Sequence, residues 1–459
     1  MTSAASPSSA HFVVHEPEVR REAGGTRVHF RHSGAPCEGG FDVFLAGDWA
    51  PAPESLGAAA ACFHLWPAMR LGCRLSIEAE VPADMRARLE TLQTIQSKWF
   101  PHEFSRVPVE ANWSEAKSAR SSAEAVFFSG GADSSFSLLR RKEDFAAGIF
   151  VTGFDIGIEN RALAENIAGH LRSAAARFGI PLVEATTNVR TFSDTHCHWG
   201  SHYCGAAMAG VAHLMAERFG IVSIPASVTW EHLSPFGTHP FTDEQWTAGP
   251  LEVRHDGMET PRIEKFRLLA TIDGTLDHLR VCWRNPDNTY NCGHCEKCLR
   301  AMANLRALGA LERAATFPST LDASRLESLE IEHVLILPFL EETITEAERV
   351  GDTELAQALQ SAIHRFELDR LRKVPLDLLE HLPESSVWRG KTAPRFRNAI
   401  AAACLGDDPL WTANKLLHAL PGDERAAMRR QIRRRWWRRL ADHLRGRRAN
   451  APNRDGDAL

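Results

Sequence analysis

Two stretches hold residues whose types and spacing suit chemistry. The first is Ala125-Val126-Phe127-Phe128-Ser129-Gly130-Gly131-Ala132-Asp133-Ser134-Ser135. Its apolar start reads as a short buried strand and its small residues as a turn. Phe136, Leu138 and Leu139 then open a helix. Gly130 and Gly131 permit positive φ and close approach of the backbone to a ligand. Ser129, Ser134 and Ser135 place hydroxyls where a helix start leaves N–H groups unpaired and its dipole is positive. A phosphate suits such a cradle. The competing reading is a plain glycine turn capped by Asp133.

The second stretch is Cys282-x9-Cys292-Gly293-His294-Cys295-Glu296-Lys297-Cys298. Four thiolates suit tetrahedral Zn²⁺, and a site filled by four protein ligands is structural. The same C-x2-C-x2-C spacing occurs at iron–sulfur clusters; zinc is the reading adopted. Arg262 and Lys265, just before the apolar run Phe266 to Ile272, could neutralise phosphate charge. A solvated helix start is the bland alternative there. His198 and His202 are four residues apart. Without an acidic partner at a known spacing they read as lining a substrate crevice, not as metal ligands.

These residues need positions, and the surrounding text supplies them. Strand-like runs end near Phe128, Asp155, Asn188 and Ala226, with helical spacing between them. That alternation predicts an α/β fold, a doubly wound parallel sheet over residues 119–315. Ligands in such sheets sit at the carboxyl ends of the strands. Residues 1–118 read as a small N-terminal α/β accessory module, with strands at Thr26 to Phe30 and Arg74 to Val81 and a helix from Ala83 to Phe100. Residues 316–445 read as helical, over Pro338 to Val350, Glu354 to Leu368, Pro375 to Leu382 and Arg395 to Cys404. A densely basic stretch, Arg429 to Leu440, reads as a helix docked on the protein's own acidic surface rather than on nucleic acid or a membrane. Residues 446–459 read as a disordered tail.

Ser-Gly-Gly-x-Asp-Ser lacks the lysine of the G-x-x-x-x-G-K-[ST] loop and is not G-x-G-x-x-G. It resembles the PP-loop of the N-type ATP pyrophosphatases, which split ATP into AMP and pyrophosphate. With Cys282, Cys292-Gly293-His294-Cys295, Cys298 and Arg300 closing the same α/β unit, the chain is similar to the 7-cyano-7-deazaguanine synthase family of the queuosine pathway over about residues 123–305. The resemblance implies an adenine nucleotide α-hydrolase-like domain that uses ATP, Mg²⁺ and Zn²⁺. It implies an AMP-forming carbon–nitrogen ligase: a small carboxylate, such as a 7-deazaguanine-like acid, is adenylated and then attacked by ammonia or an amine to give an amide or nitrile. In that scheme Ser129, Gly130, Gly131, Asp133, Ser134 and Ser135 hold the departing pyrophosphate. Asp133 orients Mg²⁺, Asp155 lies by the adenosine, and Arg262 and Lys265 act in catalysis.

Where the family has a Tyr-Pro-Asp-Cys-like element, this chain reads Thr238-His239-Pro240-Phe241-Thr242-Asp243, and the family lacks the flanking regions. The acid and the acceptor, a protein or peptide included, therefore stay open. Two other readings are carried. One is a PP-loop sulfur transferase using Cys197 or Cys204, and the other a non-catalytic ATP-binding partner protein.

Composition is that of an ordinary globular chain: 459 residues, 44% hydrophobic, 24% charged, net charge −5. Such a balance does not call for a nucleic-acid or membrane partner. The first ten residues lack a signal-peptide layout and no apolar run is long enough to span a membrane, so a cytoplasmic protein is expected.

Overall fold

Ala125 and Phe127 point to one face of a strand, Val126 and Phe128 to the other, and all four are apolar. Such a strand must be covered on both sides. A computed structural model, which describes residues 11–34, 37–115 and 117–372, meets that demand. Ala125, Phe127, Ala147, Ile149 and Val151 join one core. Val126, Phe128 and Phe150 join a second.

The strands are β1 His11–Val14, β2 Glu18–Glu22, β3 Gly25–Ser33, β4 Gly39–Ala46, β5 Arg74–Pro82, β6 Val109–Ser114, β7 Glu124–Phe127, β8 Phe145–Thr152, β9 Leu182–Thr187, β10 Ile221–Pro225 and β11 Glu252–Asp256. They form one mostly parallel, mixed sheet in the order β11-β10-β7-β8-β9-β4-β3-β1-β5-β6, with β2 beside β3. From β7 the chain winds one way through β8 to β9, then crosses to the far side of β7 for β10 and β11. All pairs from β11 to β9 are parallel. The expected α/β alternation is therefore present. The direction of winding reverses between β7 and β10, and in open α/β sheets ligands bind at the carboxyl ends of the strands where the order reverses.

The N-terminal residues are not a separate module. β4 pairs antiparallel with β9, Val43 opposite Thr187 and Leu45 opposite Ala185. Thr187 Oγ1 donates to the Asp42 carbonyl and Asn188 Oδ1 accepts from the Asp42 N–H, both at 2.7 Å. The physical cause of the fusion is the helix Pro53–Leu71, which is buried along almost its whole length. A helix apolar all round needs cover on every side. It lies under β5, where Gly57 leaves room for the Glu80 carbonyl, and against the helix Cys204–Leu214, where Gly210 accommodates the Phe63 ring. Tyr203 Oη donates to the Phe63 carbonyl at 2.7 Å.

The expected boundary near residue 315 is also absent. Met1–Ala362 forms one unit and Ile363–Leu459 another. The helices Leu337–Val350 and Thr353–Arg372 match the expected spans to within a few residues. The helices expected at Pro375 to Leu382 and Arg395 to Cys404, the basic stretch and the tail lie outside the described residues. No helix among the described residues is long and apolar enough to cross a membrane.

The shared core holds histidines whose protonation is opposed by burial. His213 is fully buried and donates from Nε2 to the Trp246 carbonyl at 2.8 Å. Burial holds its pKa down at about 4, and those of His64 and His32 at about 3 and about 4. In the unfolded chain the same groups titrate at about 6.5. As pH falls below that value the unfolded chain binds protons that the folded chain excludes, so stability falls; it returns as pH rises again. Denaturant unfolding should lose about 2 kcal/mol between about pH 7 and about pH 5 from His213 alone. A stability unchanged over that range would show that these rings are not held neutral.

Candidate functional site

The loop from Phe128 to Asp133 leaves the carboxyl end of β7 and is tied by its own serine. Ser134 Oγ donates to the Gly131 carbonyl at 3.1 Å and accepts from the Ser129 N–H at 3.2 Å. Gly130 has φ 76° and its carbonyl accepts from the Arg280 N–H at 2.8 Å. The N-cap of the helix Ala132–Arg140 is Gly131, and no side chain caps that terminus. Asp133 therefore does not cap the helix as the plain-turn reading required. It lies inside the first turn, leaving an uncapped positive end.

Asp133 instead meets two cations delivered from 130 residues downstream by the helix Arg262–Thr271. Arg262 Nη2 is 2.6 Å from Asp133 Oδ2, and Lys265 Nζ is 3.4 Å from Asp133 Oδ1 and 2.6 Å from the carbonyl of Ala226, at the end of β10. Ser227 Oγ donates to Asp133 Oδ2 at 3.3 Å. The solvated-helix reading of Lys265 fails, because the residue is 1% exposed. Burial pulls the pKa of both cations below their ordinary values, opposed by the Asp133 carboxylate.

Lys265 is buried and Arg262 half-buried; Asp133 is the carboxylate that both contact, and Glu342 and Glu296 also lie near enough to Arg262 to favour its charge. The sequence reading missed Arg280, which is 4% exposed behind the loop. Its position in an irregular segment before Cys282 carries no periodic signal. Arg280 Nε and Arg262 Nε are buried without a hydrogen-bond partner, the kind of orphaned donor that a bound anion satisfies.

The loop's geometry makes Gly130 hard to replace. A Cβ there would lie 2.7 Å from Leu171 Cδ2 in a left-handed backbone. Gly130→Ala should destabilise the fold by about 2 kcal/mol, read as a lowered thermal midpoint. An unshifted midpoint would mean that the loop relaxes freely.

The other expected positions fall differently. Asp155 is exposed, three residues beyond the end of β8, on the same edge of the sheet as the loop. The Thr187-Asn188 corner, expected to line the crevice, holds β4 instead. His202 is buried against Phe100 and Phe104, and its Nδ1 accepts from the His198 N–H at 3.3 Å. These contacts give the His198/His202 stretch a structural place. His239 is a buried N-cap for the short helix Pro240–Asp243. Asp243 pairs with His255, at 2.9 Å.

The four cysteines do converge. The sulfurs of Cys282, Cys292, Cys295 and Cys298 all lie within 4.8 Å of one another, a group able to hold a metal ion. Gly293, at φ 67°, makes the turn that brings the N–H groups of His294 and Cys295 to within 3.4 and 3.3 Å of the Cys292 sulfur. The Asn285 N–H donates to the Cys282 sulfur at 3.3 Å. Hydrogen bonds from Cys295 and Cys298 draw the Cys282 pKa down. Cys295 is the N-cap of the helix Glu296–Ala307 and Cys298 lies in its first turn. Donor chemistry, number and spacing suit a closed metal site.

Comparison of the chain with protein-family models, with curated proteins and with solved structures gave no match. What fold and site define on their own is an α/β protein with a glycine-rich loop at the carboxyl end of β7 and a four-cysteine cluster able to hold a metal ion.

Proposed function

We propose that this protein is an AMP-forming ATP-dependent ligase that activates a small carboxylate for attack by ammonia or an amine, as the PP-loop resemblance implies. The observation that carries the proposal is the meeting of the Ser129–Ser135 loop with Arg262 and with buried Lys265 and Arg280 at the β7/β10 switch point. A carboxylate is a poor electrophile until its oxygen is carried off as AMP. The loop N–H groups and the two cations would stabilise the negative charge that grows on pyrophosphate as it leaves. Asp133 would be the loop residue to hold Mg²⁺, which would supply further positive charge to the phosphates. Zinc is proposed for the four-cysteine site, as a structural ion.

A sulfur transferase needs a reactive thiol. Burial pushes the thiols of both Cys197 and Cys204 up, which favours the ligase over the thiolation reading.

The test is chromatography of nucleotides after incubation with Mg²⁺-ATP, with and without 7-carboxy-7-deazaguanine and ammonia. AMP and pyrophosphate that depend on the acid are expected, and the product's mass would name the acceptor. AMP formed without dependence on that acid would keep the ligase and discard the deazapurine. ATP bound without AMP release would replace the ligase with a non-catalytic ATP-binding protein.

A further inference from the structure

Arg262 is fixed on one side by Asp133. It also lies against a ring from far along the chain. The Arg262 guanidinium carbon is 4.2 Å from the centre of the Phe339 ring, and that of Arg300 is 4.8 Å from the same centre. Phe339 is 7% exposed, so both contacts are largely shielded from water, where a cation–π contact is strongest.

Phe339 belongs to the helix Leu337–Val350, which lies in the region that the family resemblance does not cover. That helix touches both walls of the site. Glu342 Oε2 accepts from the Ile263 N–H at 2.9 Å, serving a helix start that has no side-chain cap of its own. Glu346 pairs with Arg267 at 2.8 Å. Towards the metal site, Thr343 Oγ1 donates to Asn304 Oδ1 at 2.8 Å, and both residues are buried. Arg300 is itself held by Glu296 at 2.6 Å. The helix therefore spans from the start of the Arg262 helix to the helix that carries Cys298.

We infer that Phe339 is a positioning residue for the anion site: its ring, in contact with both Arg262 and Arg300, fixes the Arg262 guanidinium beside Asp133. The inference rests on the anion-binding reading of the loop. A ring that only filled space would be replaceable by an aliphatic side chain of similar volume. One that orients a cation would be replaceable only by another aromatic.

The experiment uses the full chain, with Phe339→Tyr and Phe339→Leu. Inorganic pyrophosphate is titrated by calorimetry, and the Arg262 Nε–H resonance is followed in a ¹⁵N-arginine sample, assigned by its loss in Arg262→Lys. Phe339→Leu should weaken pyrophosphate binding about tenfold and shift or broaden the resonance, while Phe339→Tyr keeps both near wild type. Leucine behaving like wild type in both readouts would overturn the inference. If Phe339→Leu fails to fold, Phe339→Met supplies the same ring-free comparison. Wild-type protein that binds no pyrophosphate would sink the anion reading, yet the resonance would still report whether Phe339 holds Arg262.

Discussion

Asp133→Asn is expected to cut AMP release from ATP at least about 10²-fold while pyrophosphate binding is kept or tightened. The opposite signs follow from what Asp133 touches. Asparagine can still accept from Arg262 Nη2 and Ser227 Oγ, but it removes the negative charge that Arg262 and Lys265 share. The two cations then attract phosphate more strongly, while the carboxylate proposed to orient Mg²⁺ is gone. The same loss leaves a buried charge uncompensated, which costs on the order of 3 kcal/mol of stability. Added pyrophosphate should restore part of it by binding the folded state. A pH profile adds a second check. Burial already sets the Lys265 pKa below its ordinary value, and Asp133 is the main group raising it. Activity should therefore fall on the alkaline side before about pH 10.4, and in Asp133→Asn that limb should move to lower pH. AMP release that is unchanged in the variant would overturn the ligase proposal.

The second large effect is expected at the cysteines. Chelation, or Cys295→Ser, should lower the thermal midpoint by more than about 10 °C, because binding free energy at a closed four-thiolate site is folding free energy. The loss should reach the anion site. The helix Glu296–Ala307 begins at Cys295 and carries Arg300 onto Phe339 and, through it, towards Arg262. Pyrophosphate affinity should therefore fall at temperatures where the chain stays folded. Elemental analysis of the purified protein is expected to give about one zinc per chain. Iron with visible absorbance would replace zinc by an iron–sulfur cluster, and metal-free protein of unchanged stability would remove the site altogether.

The loop and the cysteines were legible for the same reason: both are local. The glycine turn between an apolar strand and an apolar helix, and three cysteines within one turn and the helix start, are specified by neighbours a few residues away. Lys265 was ambiguous because a lysine at a helix start is ordinarily solvated. Its burial depends on β10, β7 and the Ala132–Arg140 helix arriving on the same side. Arg280 gave no signal at all, since its role comes from lying behind Gly130, 150 residues earlier in the chain.

The N-terminal boundary was misplaced for a related reason. The alternation in β3 and β5 is real, but it says nothing about which edge a sheet leaves open. That β4 closes onto β9 is decided by edge pairing and by the need to bury the Pro53–Leu71 helix on two sides. The sequence by itself determined the α/β alternation, the glycine turn between strand and helix, and the four thiols, because each depends on short-range periodicity and spacing. Only the tertiary structure decided that one sheet unites the two halves, that Asp133 faces Arg262 and Lys265 rather than capping its helix, and that Phe339 touches two arginines. Those are contacts between segments far apart in the chain, chosen by burial and charge compensation, and no local pattern encodes them.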